Sequence, residues 1–478
     1  MHTTWVQYVI IAAYFIFIVT KGVLRSRKIN HQDDFLVAGR NVGWFFLLAT
    51  MSATLLGGGS SIGAIGRTYE WGILMLLVSM GWYLQFIFSG YFVAPKFREL
   101  KLYTVAGYFG HRYDEKNRFL AFILSLLFSV GVLGAQMVAF GKIITAMIPE
   151  IPYLWAVIIG GSIVILYSTA GGLLAVIHTD VYQFVILFLG FLLTMILCIP
   201  DITASQGEIR NVVPEEFFQL DGGKGWVFAI STFLAFLFGE TFAPGYITRF
   251  VVGKDVKNTK WGIMGSGAFL IFTFPVILFF IALYAKYNFP NIDSEEALPM
   301  TILKLNNPII GGVIIAALMS AVMSSADSIL NSSTAIFVKD LYEHYYLKKK
   351  PGRKNSGLKI SRYFSLFIGI VGVLMALVLP NVIDLLLLTY TMWAPGIILP
   401  VLVGIFSKRK SKKLNMLMFF TIIISVTITM ILKGMEGRFF EQPAVLGVLV
   451  SVVIYFVGSM LVKDEIVDKL EEDGGEKG

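Results

Sequence analysis

Long apolar runs alternate with short polar segments along almost the whole chain. Most of these runs hold about 20 residues, the length at which an α-helix crosses the hydrocarbon core of a lipid bilayer. Charged residues, glycine or proline separate one run from the next. The pattern therefore predicts an all-α integral membrane protein with about thirteen transmembrane helices, over residues 5–24, 43–66, 72–95, 118–148, 152–168, 174–200, 226–248, 262–285, 308–338, 358–379, 382–406, 412–432 and 442–462.

The composition excludes an ordinary soluble protein. Of the 478 residues, 56% are hydrophobic and only 15% are charged, with a mean hydropathy of +0.75. Soluble domains carry about 25% charged residues. The single cysteine, Cys198, excludes an intramolecular disulfide. The first run, from Trp5 to Leu24, lacks a preceding basic segment and is long enough to span, so it is predicted to be an anchor rather than a cleaved signal peptide.

The net charge of +8 indicates an orientation in the membrane rather than a surface for nucleic acid. Of the 39 Lys and Arg residues, 27 fall in alternate loops, over residues 25–40, 96–118, 249–260, 339–362 and 408–413. By the positive-inside rule these loops face the cytoplasm, and the acidic loops 200–225 and 286–307 face outward. The expected arrangement is a multi-pass plasma-membrane protein with its N-terminus outside and its C-terminus in the cytoplasm.

Two of the predicted spans contain residues that unwind helices. The second span contains Leu56-Gly57-Gly58-Gly59-Ser60-Ser61, and the seventh contains the stretch from Gly239 to Gly245. Backbone polar groups freed by such breaks cannot be satisfied by lipid, so they must face protein or a watery cavity. Because the breaks lie five spans apart, the two helices cross the membrane in opposite directions. This is the arrangement of an inverted five-helix repeat with discontinuous first helices, which is typical of secondary transporters.

The repeat suggests a division of the chain into five parts. An extra N-terminal helix and a loop come first, then the two repeats, then two further helices and a charged cytoplasmic tail. The predicted boundaries are 1–42, 43–200, 226–406, 407–462 and 463–478.

The ninth predicted span carries a row of small hydroxyl side chains. Ala321, Ser324, Ser325 and Ser328 are spaced to share one face of a helix. Such a stripe is also common where membrane helices simply pack together. A hard monovalent cation, however, is held by several oxygens, and an unwound helix supplies carbonyls that facing serines can complement. The carbonyls freed near Gly57 and the serine pair together predict a sodium site.

The chain resembles the sodium:solute symporter family from about residue 5 to residue 460. The motifs that carry the resemblance are the stretches from Asp34 to Gly43, Ser52 to Gly58, Tyr167 to Asp180 and Pro244 to Arg249, and the serine-rich span followed by Lys339-Asp340-Leu341-Tyr342. The resemblance implies a leucine-transporter-like architecture and sodium-coupled transport of a small solute. It also implies the main sodium ligands, which are Ala53, Leu56, Ala321, Ser324 and Ser325.

In some members of this family a second sodium ion is bound nearby. The resemblance implies that Asp180, with Ser325 and Ser328, would bind it here. The alternative for Asp180 is a structural ion pair or a gating charge near the cytoplasmic end of its helix. The chain also has Leu55 where the sodium-proline members have an aspartate, which disfavours proline as the solute.

Glu240, in the second break, stands where the family often has an aromatic residue. A carboxylate at mid-membrane costs roughly 2.5–3.5 kcal/mol on insertion scales and is a functional candidate by default. Three hypotheses remain open for it: binding of an amine or hydroxyl of the solute, titration with a proton, and pairing with a structural cation or hydroxyl.

Further polar and aromatic residues complete a predicted pocket for a small polar organic solute such as an amino acid, carboxylate, sugar or vitamin. The predicted solute-binding set is Thr54, Gly57, Gly58, Gln85, Gln136, Glu240, Tyr390 and Trp393.

The function predicted from these observations is sodium-coupled symport by alternating access, with Na⁺ as the only cofactor and a functional monomer. A proton-coupled transporter and a non-transporting membrane sensor are the alternatives. The five histidines are scattered and form no metal-ligand or nucleophile–base pattern, so an enzyme is not expected.

Overall fold

The computed structural model describes residues 5–26, 40–348, 357–435 and 442–462, and these residues form helices connected by short turns. The fold class is therefore all-α, as the apolar pattern predicts. The helices are α1 (Trp5–Ser26), α2 (Trp44–Leu55), α3 (Gly59–Trp71), α4 (Leu74–Leu100), α5 (Val105–Arg112), α6 (Glu115–Met147), α7 (Tyr153–Ala204), α8 (Gln206–Val212), α9 (Trp226–Gly239), α10 (Pro244–Val252), α11 (Val256–Asn288), α12 (Ala297–Leu305), α13 (Pro308–Leu347), α14 (Gly357–Val378), α15 (Val382–Phe406), α16 (Lys412–Gly434) and α17 (Pro443–Leu461).

Within the described residues, nine helices are long and apolar enough to cross a membrane, or eleven if each bent pair counts as one span. Two shorter apolar helices, Trp5–Tyr14 and Tyr153–Leu166, lie at the first and fifth predicted spans. The total of thirteen stays a prediction. The ninth span is longer than predicted, because α13 continues to Leu347 and takes up part of the predicted loop 339–362.

The predicted fifth and sixth spans both lie within the helical segment α7. Its 52 residues would extend about 78 Å if straight, far more than a bilayer core. Yet both of its ends lie on the same side of the protein. Tyr153 lies against Lys142, which pairs with Asp293, and Glu208, just beyond the other end, accepts a hydrogen bond from Tyr287 in the same region. The chain therefore turns back within α7, and its two arms serve as two spans.

Both interrupted spans are broken where the sequence predicts. Helices α2 and α3 meet at an angle of 58°, and α9 and α10 meet at 50°. The bends follow from the residues at the two junctions, 56–58 and 240–243. Each junction is a short irregular segment that does not continue the regular helical hydrogen bonds. The discontinuous first helices of the two repeats are thus present in the structure.

Helix α13 lies at the centre of the bundle. It packs against α7, α6 and α1. In its most apolar 18-residue stretch 83% is buried, compared with 33% in the corresponding stretch of α14 at the periphery. Its alanines and serines are small enough to let neighbouring backbones approach closely. The serine stripe on α13 is therefore an interior surface that faces other helices rather than lipid.

A buried carboxyl group, that of Glu295, lies between α3 and the start of α15. Its side chain is 2% exposed, and one oxygen accepts a hydrogen bond of 2.6 Å from the backbone N–H of Val382. The other oxygen has no hydrogen-bond partner among the described residues. Burial raises the pKa of Glu295 to about 8, and the nearby charge of Asp293 adds to this, whereas Lys142 and Arg67 oppose it.

Replacing Glu295 with glutamine should remove the loss of folding stability that this conformation suffers when Glu295 ionises at high pH. The pKa is 4.5 for an ordinary glutamate and about 8 here, so the stability contributed by the neutral acid is present below pH 4.5 and is lost as pH rises through 8. We expect Glu295→Gln to raise the thermal unfolding temperature relative to the unmodified protein, increasingly so towards pH 8 and above. Thermal unfolding of the detergent-purified protein across this pH range measures the difference.

Glu215→Gln is the matched control, because Glu215 is an exposed carboxylate in the loop between α8 and α9. It should shift the unfolding temperature little at any pH. A Glu295→Gln difference that stays constant with pH would contradict the assignment of this group.

Candidate substrate and ion site

The first break exposes backbone groups that other helices satisfy. The N–H of Gly58 donates to Gln136 Oε1 on α6 at 2.8 Å. The carbonyl of Gly57 accepts from both the N–H and the hydroxyl of Ser61, at 3.0 and 2.5 Å, and the carbonyl of Gly58 accepts from the N–H of Gly63 at 2.9 Å. The bond from the Ser61 N–H continues the regular helical pattern, whereas Gln136, the Ser61 hydroxyl and the wider turn to Gly63 satisfy groups at the break, as a helix broken inside a membrane requires.

Two glycines let this break approach its neighbours closely. A Cβ at Gly57 would lie 2.2 Å from Ser325 Oγ, and one at Gly58 would lie 2.4 Å from the Cβ of Ala139. Any side chain at either position would therefore push α13 or α6 away. The role that the structure supports for Gly57 and Gly58 is this close packing.

The second break is held by Trp393 and by an unusual backbone conformation. The indole N–H of Trp393 donates to the carbonyl of Thr241 at 3.0 Å, and the Thr241 hydroxyl donates back to the carbonyl of Leu237 at 2.5 Å. Phe242 follows with φ of 65°, the left-handed region that bulky residues rarely adopt. Such strain persists only where the surroundings fix it, and it is frequent at functional sites.

Glu240 is held in place by two tyrosine hydroxyls. Tyr246 donates to Glu240 Oε2 at 2.5 Å and Tyr390 donates to Oε1 at 2.7 Å, while Trp82 Nε1 donates to the Tyr390 oxygen at 3.2 Å. Gly239 makes room for Tyr390, since a Cβ there would lie 2.2 Å from its ring. Glu240 as a whole residue is 7% exposed, and the two hydrogen bonds fix its carboxyl group in one orientation.

Both breaks border one central cavity of about 40 Å³. This volume accommodates a few water molecules, since one water needs about 10–15 Å³ by this kind of measure. The first break contributes Thr54, Leu55, Gly59 and Ser60, the second contributes Glu240, Ala243, Gly245 and Tyr246, and the remaining walls include Trp82, Phe128, Val132, Gln136, Ser325, Ser328, Ile329 and Leu386.

The serine stripe of α13 faces the first break and the second arm of α7. Ser325 donates to the carbonyl of Thr54 at 2.9 Å, and Ser324 donates to Asp180. Ser328 donates to the carbonyl of Ser324 at 2.7 Å, within its own helix. The structure therefore places Ser325 against a carbonyl of the first break, that of Thr54, whereas Ser324 contacts Asp180.

A buried arginine that sequence reasoning missed, Arg249, joins four helices below the cavity. It is fully buried, and its guanidinium donates to Ser328 Oγ at 2.7 Å, to Thr50 Oγ1 at 3.2 Å and to the carbonyl of Gly245 at 3.1 Å. It also pairs with Asp180 at 3.4 Å, and Thr50 donates to the same carboxylate. Of the two hypotheses for Asp180, this contact favours the ion pair.

The ends of the two broken spans are tied together on the same side as Arg249. Val42, just before α2, exchanges backbone hydrogen bonds with the segment after α10: its N–H donates to Val252 at 3.1 Å, and its carbonyl accepts from Lys254 at 2.8 Å. The two interrupted helices are thus coupled both by backbone and by a buried charge pair.

The other predicted residues lie at different distances from the cavity. Thr54, Gln136 and Glu240 line it, whereas Tyr390 stands behind Glu240 and Trp393 stands behind the second break. Gln85 lines a separate apolar groove of about 790 Å³ between α4, α9, α11 and α15. Ala53, Leu56 and Ala321, the predicted carbonyl ligands, are fully buried.

Several functional candidates could have been found only with the fold in hand. Arg249 ends one of the motifs that carry the family resemblance, but nothing in its sequence surroundings indicates a role, and Thr50, Trp82 and Tyr246 belong to no functional pattern in the sequence. Tyr246 lies six residues after Glu240, and only the break in the helix turns its hydroxyl back towards that carboxylate. In the described part of the chain, no group of three or more His, Cys, Asp and Glu side chains could hold a metal ion.

The sequence is similar to those of known sodium-coupled transporters. The family model for the sodium:solute symporter family matches residues 35–421. The chain is 25% identical over 392 residues to the high-affinity choline transporter 1 of Drosophila melanogaster, which covers 78% of this chain and 62% of that one. It is 28% identical over 388 residues to the sodium/sialic acid symporter NanT of Aliivibrio fischeri, which covers 77% and 75% respectively.

Solved structures share the fold. A Na⁺-coupled sialic acid symporter in a substrate-bound outward-open state superposes with a TM-score of 0.78 at 21% identity, covering 97% of this chain and 99% of that one. Mhp1, a nucleobase-cation-symport-1 family transporter, superposes with a TM-score of 0.56 at 11% identity over 89% of this chain and 94% of its own. The leucine-transporter-like architecture expected from the sequence is confirmed.

The chain belongs to the sodium:solute symporter family. Its function class is sodium-coupled solute symport, with sodium as the coupling ion, and it is not an enzyme. The proton-coupled and sensor alternatives are not favoured.

Removing one partner of the Asp180–Arg249 pair should destabilise the protein strongly. A single substitution, Asp180→Asn or Arg249→Gln, leaves the other charge buried without compensation, which costs about 3–5 kcal/mol in comparable pairs. The double variant should recover part of this loss. Chemical denaturation of the purified protein measures all three.

The control is an exposed pair, Lys96 and Glu99, at 3.8 Å. Glu99→Gln should cost less than about 1 kcal/mol, as exposed ion pairs do. If Asp180→Asn left stability unchanged and instead raised the sodium requirement, Asp180 would be an ion ligand and the pairing role would be wrong.

Proposed function

We propose that this protein imports a small polar organic solute into the cell together with sodium, by alternating access of one central cavity to the two sides of the plasma membrane. The observation that carries the proposal is that both broken helices border that cavity. Thr54 and Ser60 come from the first break, and Glu240 and Ala243 come from the second. Motion of one repeat against the other would then change the side to which the cavity opens.

The sodium ion would be held where the first break meets the serine stripe. The proposed ligands are the carbonyl oxygens of Ala53, Leu56 and Ala321 and the hydroxyls of Ser324 and Ser325. The distance of 2.9 Å between Ser325 Oγ and the carbonyl of Thr54 supports this position, because it already brings two oxygen atoms together at the break. The Thr54 carbonyl is available as a further ligand.

A second sodium ion at Asp180, Ser325 and Ser328 is not part of this proposal. The guanidinium of Arg249 contacts Asp180 and Ser328. It therefore supplies at this position the positive charge that a second ion would bring, and two adjacent cations in a buried site would repel each other.

The solute would contact Thr54, Gln136 and Glu240 in the cavity. An organic solute needs a pocket of several hundred Å³, so the cavity of about 40 Å³ must widen as it opens to one side. The relatives named above are called a choline transporter and a sialic acid symporter. These two solutes differ in charge, so family membership leaves the solute of this protein open.

The proposed topology places the N-terminus outside and the C-terminus in the cytoplasm, because the loops rich in Lys and Arg then face inward. On this topology the Arg249 junction lies on the cytoplasmic side of the cavity and Glu295 lies on the outer side. We also propose the division into an N-terminal helix, two repeats and two C-terminal helices. We also propose that the protein functions as a monomer.

Removing the Ser325 hydroxyl should weaken sodium binding. We expect Ser325→Ala to raise the sodium concentration at half-maximal effect by about tenfold or more, since a lost polar contact to a charged group costs about 1.5–3 kcal/mol. Ser324→Ala should act in the same direction. Sodium chloride titrations, followed by thermal shift of the purified protein and by solute uptake into proteoliposomes, measure the change.

Potassium chloride at equal ionic strength serves as the salt control. Ser333→Ala is the matched variant, because Ser333 lies on the same helix, is fully buried and donates only to the carbonyl of Ile329 one turn away. It should leave the sodium midpoint unchanged. Solute uptake at full rate without sodium would overturn the proposed function.

A further inference from the structure

The central cavity carries one uncompensated acidic group. Of the described side chains that line it, Glu240 is the one acidic or basic residue, and the other lining residues are neutral. The nearest buried charges, Asp180 and Arg249, pair with each other below the cavity. No basic side chain in the described part of the chain pairs with Glu240, so its charge has no fixed partner in the protein.

The hydrogen bonds of Glu240 leave acceptor positions on its carboxylate open to a cationic ligand. Each carboxyl oxygen accepts one tyrosine O–H, from Tyr246 and from Tyr390. An ionised carboxylate has about four acceptor positions and no donor, so two positions remain for a ligand. Because Tyr390 itself accepts from Trp82, its single O–H stays directed at Glu240. Glu240 therefore offers hydrogen-bond acceptors to a ligand and favours a ligand that carries a hydrogen-bond donor.

Aromatic rings surround the same cavity. Trp82, Phe128 and Tyr246 all line it. The faces of such rings attract ammonium groups, particularly alkylated ones, and this attraction is strongest where water is excluded. An anionic solute would meet the negative charge of Glu240 and the negative faces of the rings, and an uncharged solute would leave the charge of Glu240 without compensation.

We infer that the solute of this protein carries a positively charged nitrogen, and that this ammonium group binds Glu240 between the rings of Trp82, Phe128 and Tyr246. The solute is accordingly an organic cation or a zwitterion, not an anion or an uncharged sugar. The inference rests on the proposed function, since it assigns the solute class of the same cavity.

Sodium is another cation that could compensate Glu240, and the ammonium and sodium cases make different predictions. The proposed sodium oxygens belong to α2, the first break and α13, where Ser325 contacts the carbonyl of Thr54, whereas the partners of Glu240 belong to α4, α10 and α15. If the carboxylate serves the ammonium group, neutralising it should weaken solute binding and leave the sodium midpoint close to its original value.

The experiment uses matched compounds that differ in charge. Choline and its uncharged carbon analogue 3,3-dimethylbutan-1-ol have nearly the same shape, glycine betaine adds a carboxylate to the charged nitrogen, and pantothenate and glucose represent anionic and uncharged solutes. Thermal shift of the purified protein in sodium chloride and uptake into proteoliposomes are measured for each. We expect stabilisation by at least one charged-nitrogen compound and none by the uncharged analogue, pantothenate or glucose.

Glu240→Gln should weaken the binding of the charged-nitrogen compound by at least about tenfold, as expected for loss of one partner from a buried charge pair. Glu240→Asp, which retains the charge, should recover part of the affinity and shows whether the glutamine variant fails only through packing. Unfolding temperatures without solute test the folding of each variant. Glu215→Gln, at an exposed site, should behave as the unmodified protein does.

Three results would overturn the inference. They are sodium-dependent binding of pantothenate or glucose that Glu240→Gln leaves intact, no stabilisation by any charged-nitrogen compound, and a rise in the sodium midpoint in Glu240→Gln as large as that in Ser325→Ala. Failure of the proposed function is a different result, namely uptake that does not depend on sodium whatever the charge of the solute.

Discussion

The structure depends above all on how two broken helices satisfy their backbone inside a membrane. Every freed N–H or carbonyl needs a partner within the protein, because lipid offers none. At the first break Gln136 and Ser61 are the partners, and at the second Trp393 is. These partners sit on α6, α3 and α15, so the same contacts that repair the backbone also fix which helices surround the cavity. A polar residue deep in a span can therefore be essential to the site without touching the solute.

The buried charges divide into two groups with different physical roles. Asp180 and Arg249 neutralise each other and, through Thr50 and Ser328, connect α2 and α10, one half of each broken span, to α7 and α13. A compensated pair of this kind contributes position more than stability, because desolvation offsets much of its attraction. Glu240 has hydrogen-bond donors but, among the described residues, no counter-charge. The first group connects helices of the bundle, and the second is the group proposed above to bind the ammonium of the solute.

Much of this organisation could be predicted from the sequence. The spans follow from hydropathy, and the two breaks follow from residues such as Gly57 and Pro244, which interrupt a helix only within a few residues of their own position. What the sequence left open is helix rotation and reach across the fold. Gln85 and Gln136 look alike as polar residues in apolar spans, yet one lines a peripheral groove and the other holds the first break. Arg249 looks like a cytoplasmic loop charge by the positive-inside rule, but α10 extends to Val252 and buries it completely.

The uncompensated charge at Glu240 has a consequence for how the membrane potential drives the cycle. With a zwitterionic solute the proposed loaded site would be neutral, whereas with an organic cation it would carry one positive charge against one negative charge in the empty site, so the charge in the cavity would change by two between the two reorientation steps. In the organic-cation case an interior-negative potential favours both inward movement of the loaded form and outward return of the empty form. Each elementary charge that crosses the full field contributes about 2.3 kcal/mol per 100 mV. A neutral side chain at this position would leave the return step insensitive to voltage, so a buried carboxylate in the second break lets the potential act on the return step and, for an organic cation, on both halves of the cycle.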